Sequence, residues 1–343
     1  MSHHDSQNVA VLGAGSWGMA VATHLHKSGH VVSIWEHNPQ EAQQLARTRE
    51  RHNKLPGFRL PASIQVTDMA SAITRDADVV LLVTPTSAIG STAAMVAAVR
   101  PRARVVVCLA KGMEVGTGRR MTEIIAEQLP AIPIVALTGP SHAEEVVRGV
   151  PTAVVAASDD RAAAERIQSL FSGETFRVYT SDDVVGVEVA AALKNIIAIA
   201  AGIADGLGYE SADNLKGALL TRGLTEISRL GIRMGAKPET FAGLAGIGDL
   251  VTTCLSRHSR NRHVGEQIGR GRTLEETLAA MSMVAEGVNT TRAAVVLAQR
   301  LEVKMPIAEA VHRVLNGETH PREALTELML RPLRSEMPLD APA

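Results

Sequence analysis

Lys194 and Asn195 interrupt a stretch that is otherwise apolar, with Ala190-Ala-Ala-Leu193 before them and Ile196-Ile-Ala-Ile199 after. A charged side chain in such a setting must be paired, exposed or functional. Partial burial lowers a lysine's pKa and suits it to proton transfer near neutral pH. The competing reading puts Lys194 on the wet face of a helix. Asp249 follows in Gly246-Ile-Gly-Asp249-Leu-Val-Thr-Thr253. A glycine-flanked aspartate beside a buried lysine can hold it charged and oriented; otherwise it caps a short helix. Ser256-Arg-His-Ser259-Arg260-Asn261-Arg262 sets guanidinium groups among amide and hydroxyl donors at an expected helix start. That combination matches a phosphate, although a solvated basic loop has the same composition.

Two further groups stand where apolar runs stop. Lys111-Gly112 follows the run 105–109, and a lysine there can pair with a phosphate or a developing oxyanion. Gly139-Pro-Ser141-His142-Ala143-Glu144-Glu145 follows the run 134–137. Gly139 permits close backbone approach. Ser141 can cap the next helix while neighbouring N–H groups face a ligand. No His, Cys or Asp cluster has the spacing of a metal site, and no Ser/His/Asp order stands out.

The elements that must position these groups begin at the N-terminus. The run 9–12 reads as a buried strand, followed by Gly13-Ala-Gly15-Ser-Trp-Gly18 and the start of a helix. This is the G-x-G-x-x-G template for a dinucleotide pyrophosphate in its strand–turn–helix context. The helix N-terminus offers N–H groups and a positive dipole end to the anion. In such a unit the end of the second strand lies beside the adenosine ribose. An acidic residue there favours NAD, and a cation favours NADP. Glu36 and His37 stand there side by side, with Arg47, Arg49 and Arg51 nearby. The preference between NAD and NADP stays open on these residues.

Apolar, β-branched runs at 9–12, 31–35, 79–83, 105–109, 134–137 and 152–156 alternate with helical segments such as 20–28 and 87–99. The pattern predicts a doubly wound, mostly parallel Rossmann-type sheet, with 175–179 as one more strand. From residue 182 the texture changes. Helices are expected at 183–204, 212–234, 261–270, 274–280, 290–299 and 307–316, separated by breakers such as Gly235, Pro238 and Pro306. The expected division is a dinucleotide-binding domain at 1–182 and an all-helical substrate domain at 183–343.

The 343 residues suffice for two cores. The hydrophobic share is 45%, the charged share 21% and the net charge −1, so no strong field draws nucleic acid or anionic membrane. Aromatics make up 2%, too few for a nucleic-acid stacking platform. Cys108 and Cys254 lie far apart and suggest no disulfide framework. The polar start, with His3 and His4, reads as a tail without a signal core, and residues 338–343 read as a second tail. The longest unbroken apolar run, 196–204, is too short to cross a bilayer. A cytoplasmic protein is expected.

Taken together, GAGSWG at 13–18, KG at 111–112, GPSHAEE at 139–145, LKN at 193–195, TRGLTEI at 221–227, GLAGIGDLVTTC at 243–254, SRNR at 259–262 and VAEG at 284–287 resemble bacterial NAD(P)-dependent glycerol-3-phosphate dehydrogenase. The match runs in order over residues 8–321. The resemblance implies reversible hydride transfer between NAD(P)H and C2 of dihydroxyacetone phosphate, giving sn-glycerol 3-phosphate for glycerophospholipid synthesis. By position it implies cofactor contacts at Gly13, Gly15, Ser16, Trp17, Gly18, His37, Lys111, Ala143, Arg260, Val284 and Glu286. Lys194 matches the family's proton donor and acceptor, with Lys111 and Asp249 beside it. Gly139, Ser141, Thr253, Ser259, Arg260 and Asn261 complete the implied substrate site. A homodimer joined through the helical half is also implied. Two departures stand out: His142 where phenylalanine is usual, and the loop 208–217, an expected influence on domain closure. A 3-hydroxyacid or 6-phosphogluconate type dehydrogenase, or a nucleotide sensor without turnover, are the other readings of the same motifs.

Overall fold

Successive residues of a strand face opposite sides of its sheet, so a strand that is apolar throughout needs cover on both faces. The computed structural model, which describes residues 6–281, 283–333, 335 and 336, supplies that cover. Its sheet is built from β1 (Asn8–Leu12), β2 (Val31–Trp35), β3 (Gln65–Thr67), β4 (Val79–Leu82), β5 (Val105–Cys108), β6 (Ile134–Thr138), β7 (Thr152–Ala157) and β8 (Phe176–Ser181). Their spatial order is β3-β2-β1-β4-β5-β6-β7-β8, parallel except for the β6–β7 pair. One face carries Val9, Val11, Val79, Leu81, Val105 and Val107. The other carries Ala10, Leu12, Val80, Leu82, Val106 and Cys108. The helices among these strands are α1 (Ser16–Lys27), α2 (Pro39–Thr48), α3 (Ala70–Thr74), α4 (Ile89–Ala98), α5 (Met121–Gln128), α6 (Ala143–Val146) and α7 (Arg161–Phe171).

Every expected strand is present. The sequence reading missed β3, a three-residue edge strand whose polar Gln65 and Thr67 break any apolar pattern. It also started α1 four residues late, because the helix begins inside the glycine template at Ser16. Beyond the sheet come α8 (Val184–Gly206), α9 (Asp213–Arg233), α10 (Pro238–Phe241), α11 (Asp249–Leu255), α12 (Arg260–Gly269), α13 (Leu274–Ala279), α14 (Glu286–Arg300), α15 (Pro306–Leu315) and α16 (Pro321–Met329). Among the described residues no strand lies after Ser181.

The central element of the second half is α8. Asp183 caps it, accepting from the Gly186 N–H at 2.9 Å, and also accepts from the Lys237 N–H at 2.9 Å. Residues 189–204 of the helix are all buried. With a mean hydropathy of 1.9 over its most apolar window, α8 is long and apolar enough to cross a membrane, which corrects the expectation drawn from the unbroken run alone. Here 94% of that window is buried inside the protein. Its two interior charges, Glu188 and Lys194, do not shorten the helix because both are paired.

The helix α12 crosses α8 at close range. A Cβ on Gly202 would stand 1.9 Å from the Arg262 carbonyl oxygen, and one on Gly265 would stand 2.0 Å from that of Ile199. Only hydrogen fits there, so the two backbones meet directly. This contact fixes the start of α12, and with it Ser259, Arg260 and Asn261, against the turn of α8 that follows Lys194. Of the expected loop 208–217, residues 213–217 open α9, and the remainder packs within the helical half: Arg322 lies over the Tyr209 ring at 5.5 Å and donates to the Leu207 carbonyl at 2.5 Å. Its contacts run to α16 and, through Lys216 and Asp205 at 3.0 Å, to α8. His3, His4 and the closing stretch 338–343 lie outside the described residues.

Candidate active site

Parallel strands deliver their following loops to one edge of the sheet, where α/β folds bind ligands. Lys111 follows β5 and Gly139 follows β6. The ammonium of Lys111 donates to the Gly139 carbonyl and to Asp249 Oδ2, each at 2.9 Å. The other carboxylate oxygen of Asp249 accepts from Lys194 Nζ at 2.5 Å. Lys194 also donates to Thr253 Oγ1 at 2.6 Å. One buried aspartate thus bridges two lysines, one from each half of the chain. Lys194 and Asp249 retain 4% and 1% of their exposure, which rules out the wet-face reading.

Burial disfavours the ammonium of Lys194, and this outweighs the attraction of Asp249, so its pKa falls to about 7. Burial alone would keep Asp249 protonated. The two lysines more than offset that and hold it below the usual carboxylate range. An ammonium has three hydrogens, and Asp249 and Thr253 take two of them. The third is committed to neither. Asp249 is the first residue of α11, whose N-cap is Gly248, so its carboxylate serves the lysines rather than a cap.

A second network holds the helical side. Asn261 Nδ2 donates to Asn195 Oδ1 at 2.9 Å, and Asn261 Oδ1 accepts from the Gly287 N–H at 2.9 Å. Asn195 in turn donates to the Lys111 carbonyl at 3.2 Å. Arg260 is exposed and donates to the Val284 carbonyl at 2.8 Å. Glu286 reaches the sheet half, accepting from the Thr86 N–H at 3.1 Å and from its hydroxyl. Ser259 caps α12, accepting from the Arg262 N–H at 3.2 Å.

One expectation needs correction. Ser141 does not cap α6: the N-cap is His142, and Ser141 donates to the Gly139 carbonyl at 2.9 Å. The residue two before the helix stands too early to reach its free N–H groups. At the end of β2, Glu36 is buried and bonded to Arg51 at 2.5 Å, while His37, 77% exposed, lies 2.7 Å from the same carboxylate. Arg51 also donates to the Ala14 carbonyl at 2.9 Å, tying the glycine turn to this corner. Glu36 is therefore not a free carboxylate. Sequence reading missed Thr138, which closes β6 and donates to Asp249 Oδ2 at 3.5 Å, although a threonine ending an apolar strand was a readable signal. It also missed Thr86, which no local pattern marks.

The glycine turn fits a dinucleotide. Gly13 has φ of +121°, and a Cβ on Gly18 would stand 1.8 Å from the Gly13 carbonyl oxygen, so the helix presses directly on the turn. A Cβ on Gly15 would meet nothing within 4 Å, which leaves open space at the start of α1. No side chain caps that start, so its N–H groups remain for an anion. Ser16 donates to the Lys54 carbonyl at 2.6 Å, Trp17 packs on the core, and Ala143 is buried at the start of α6. Among the described residues no group of three or more His, Cys, Asp or Glu side chains is placed to hold a metal ion.

The models for the N-terminal and C-terminal parts of NAD-dependent glycerol-3-phosphate dehydrogenase match residues 8–164 and 183–326. A protein of Prosthecochloris aestuarii named glycerol-3-phosphate dehydrogenase (NAD(P)+) is 48% identical, with 96% of this chain and 99% of the relative covered. One of the same name from Enterococcus faecalis is 49% identical, with 96% and 97% covered. The crystal structure of glycerol-3-phosphate dehydrogenase from Coxiella burnetii superposes with a TM-score of 0.90 at 35% identity, over 95% of this chain and 99% of that one. The chain belongs to the NAD-dependent glycerol-3-phosphate dehydrogenase family.

Proposed function

We propose that this protein reversibly reduces dihydroxyacetone phosphate to sn-glycerol 3-phosphate, with residues 1–182 holding NAD or NADP and 183–343 holding the triose. The observation that carries the proposal is the Lys111–Asp249–Lys194 bridge across the two halves. When bound, the nicotinamide exchanges a hydride with the central carbon of the triose. Lys194 uses its remaining N–H to bond the ketone oxygen, stabilises charge growing there and gives up a proton. In the reverse direction the neutral amine takes the proton back. A pKa of about 7 makes both forms accessible at neutral pH. Lys111 adds a second positive charge, and Asp249 fixes both ammoniums. Arg260, exposed at the start of α12, is the cation for the phosphate. The asparagine pair Asn195–Asn261 sets the position of that helix start.

The glycine turn and the N–H groups of α1 would hold the pyrophosphate. Pairing of Glu36 with Arg51, beside the exposed His37, lends support to a phosphate at the ribose end. A homodimer joined through the helical half, a cytoplasmic location and supply of glycerophospholipid synthesis belong to the same proposal. Apolar side chains exposed on that half, Leu255 and Val296 among them, suit a subunit contact. The test is oxidation of NADH and NADPH, followed in parallel with dihydroxyacetone phosphate. Turnover with either cofactor is expected; absence of turnover with both would overturn the proposal.

A further inference from the structure

Buried polar atoms in folded proteins are nearly always hydrogen-bonded, and an orphan carries a cost. Among the described residues, one buried side-chain nitrogen or oxygen has no partner: Nε2 of His142. Its place in the fold is specific. His142 ends the loop that follows β6, three residues after Gly139, whose carbonyl holds Lys111. Across the cleft it meets α11 and the loop before α12. The backbone of Thr252 favours a proton on the ring, and the ring of His258 lies 6.0 Å away, centre to centre. Thr252 neighbours Thr253, which holds Lys194. His142 therefore stands between the same two halves as the lysine bridge.

Its electrical setting decides what it can bind. Burial opposes the charged ring, and Lys194 and Lys111 oppose it further; the Thr252 backbone and Glu144 act the other way, and the net is a ring held neutral. Nε2 has no partner, and in the neutral ring with its proton on Nδ1 it presents a lone pair. A phosphate calls for a cation, and Arg260 provides one. The ketone oxygen calls for the ammoniums. The polar group of the triose that remains is the hydroxyl at the end opposite the phosphate, and a neutral imidazole nitrogen accepts a hydroxyl proton well.

We infer that His142 is a specificity residue that accepts a hydrogen bond from the terminal hydroxyl of the triose. The inference rests on the proposed substrate and goes beyond it in naming the group that reads one end of that substrate. Phenylalanine fills the same space without the nitrogen, so His142→Phe isolates the bond. The experiment compares kcat/KM for dihydroxyacetone phosphate and for hydroxyacetone phosphate, which lacks only that hydroxyl.

His142→Phe should lower the value for dihydroxyacetone phosphate about five- to tenfold and leave that for hydroxyacetone phosphate within about twofold. His142→Gln, which keeps a polar group at reach, should recover part of the loss. An equal fall on both substrates, or no fall on dihydroxyacetone phosphate, overturns the inference. If the phenylalanine variant does not fold, His142→Leu provides the same ratio. Wild-type protein that turns over neither substrate sinks the underlying reading instead, so the two failures are distinct.

Discussion

The lysine proposed as proton donor stands where its surroundings leave it undecided between charge states. Desolvation drives Lys194 toward the neutral amine, Asp249 draws it back, and the balance falls at about 7. The direction of reaction then sets the sign of the pH dependence. Ketone reduction needs the ammonium, so its rate should hold below about pH 7 and fall as pH rises through it; alcohol oxidation should rise over the same range. Lys194→Ala should lower kcat roughly 10²- to 10⁴-fold and abolish that inflection in the pH–rate profile. A variant that keeps both would place the proton elsewhere. Arg260 is proposed for a different step. Arg260→Ala should raise KM for dihydroxyacetone phosphate roughly 10- to 100-fold with a smaller effect on kcat, as steady-state kinetics would show. These residues were legible one by one: each is a charge or amide set in an apolar or glycine-rich frame. That Asp249 serves two lysines was not, because Lys111 is 138 positions away from it.

Elements place these residues through backbone contact. The helix α8 is legible at sight, since apolar residues recur along it and Asp183 caps it. Its crossing with α12 was hidden, because a glycine inside a helix reads locally as a weakness. In the tertiary structure Gly202 and Gly265 are the points where two backbones touch. Gly265→Ala would push a methyl against the Ile199 carbonyl, 2.0 Å from the ideal Cβ position. It should cost about 1–3 kcal/mol of stability, seen as a lower urea midpoint, and raise KM because Arg260 and Asn261 move with α12. An unchanged midpoint would mean that the crossing has slack. The edge strand β3 escaped sequence reading for the opposite reason: three residues are too few for any period to show.

On the scale of the whole molecule, carboxylates pin the halves together. Glu188 of α8 accepts from Arg120 at 2.8 Å and from the Thr122 N–H at 2.9 Å, joining the helical half to the start of α5. Glu286 reaches Thr86 from the other side. Burial raises the pKa of Glu188, with Arg120 and Thr122 opposing. Removing the carboxylate leaves Arg120 with Glu123 but takes the acceptor from the buried Thr122 N–H, so Glu188→Ala should cost about 1–3 kcal/mol in denaturant unfolding. A loss below about 1 kcal/mol would show that the pair is dispensable.

The sequence by itself determined every strand but the short edge β3, the glycine turn, the long apolar helix and the chemical types of the site, because periodicity and turn formation are local. Only the tertiary structure decided which carboxylate meets which lysine, that Glu36 is spent on Arg51, and that one histidine nitrogen is left without a partner. Those outcomes depend on distances between residues far apart in the chain, and packing sets such distances only when the whole fold closes.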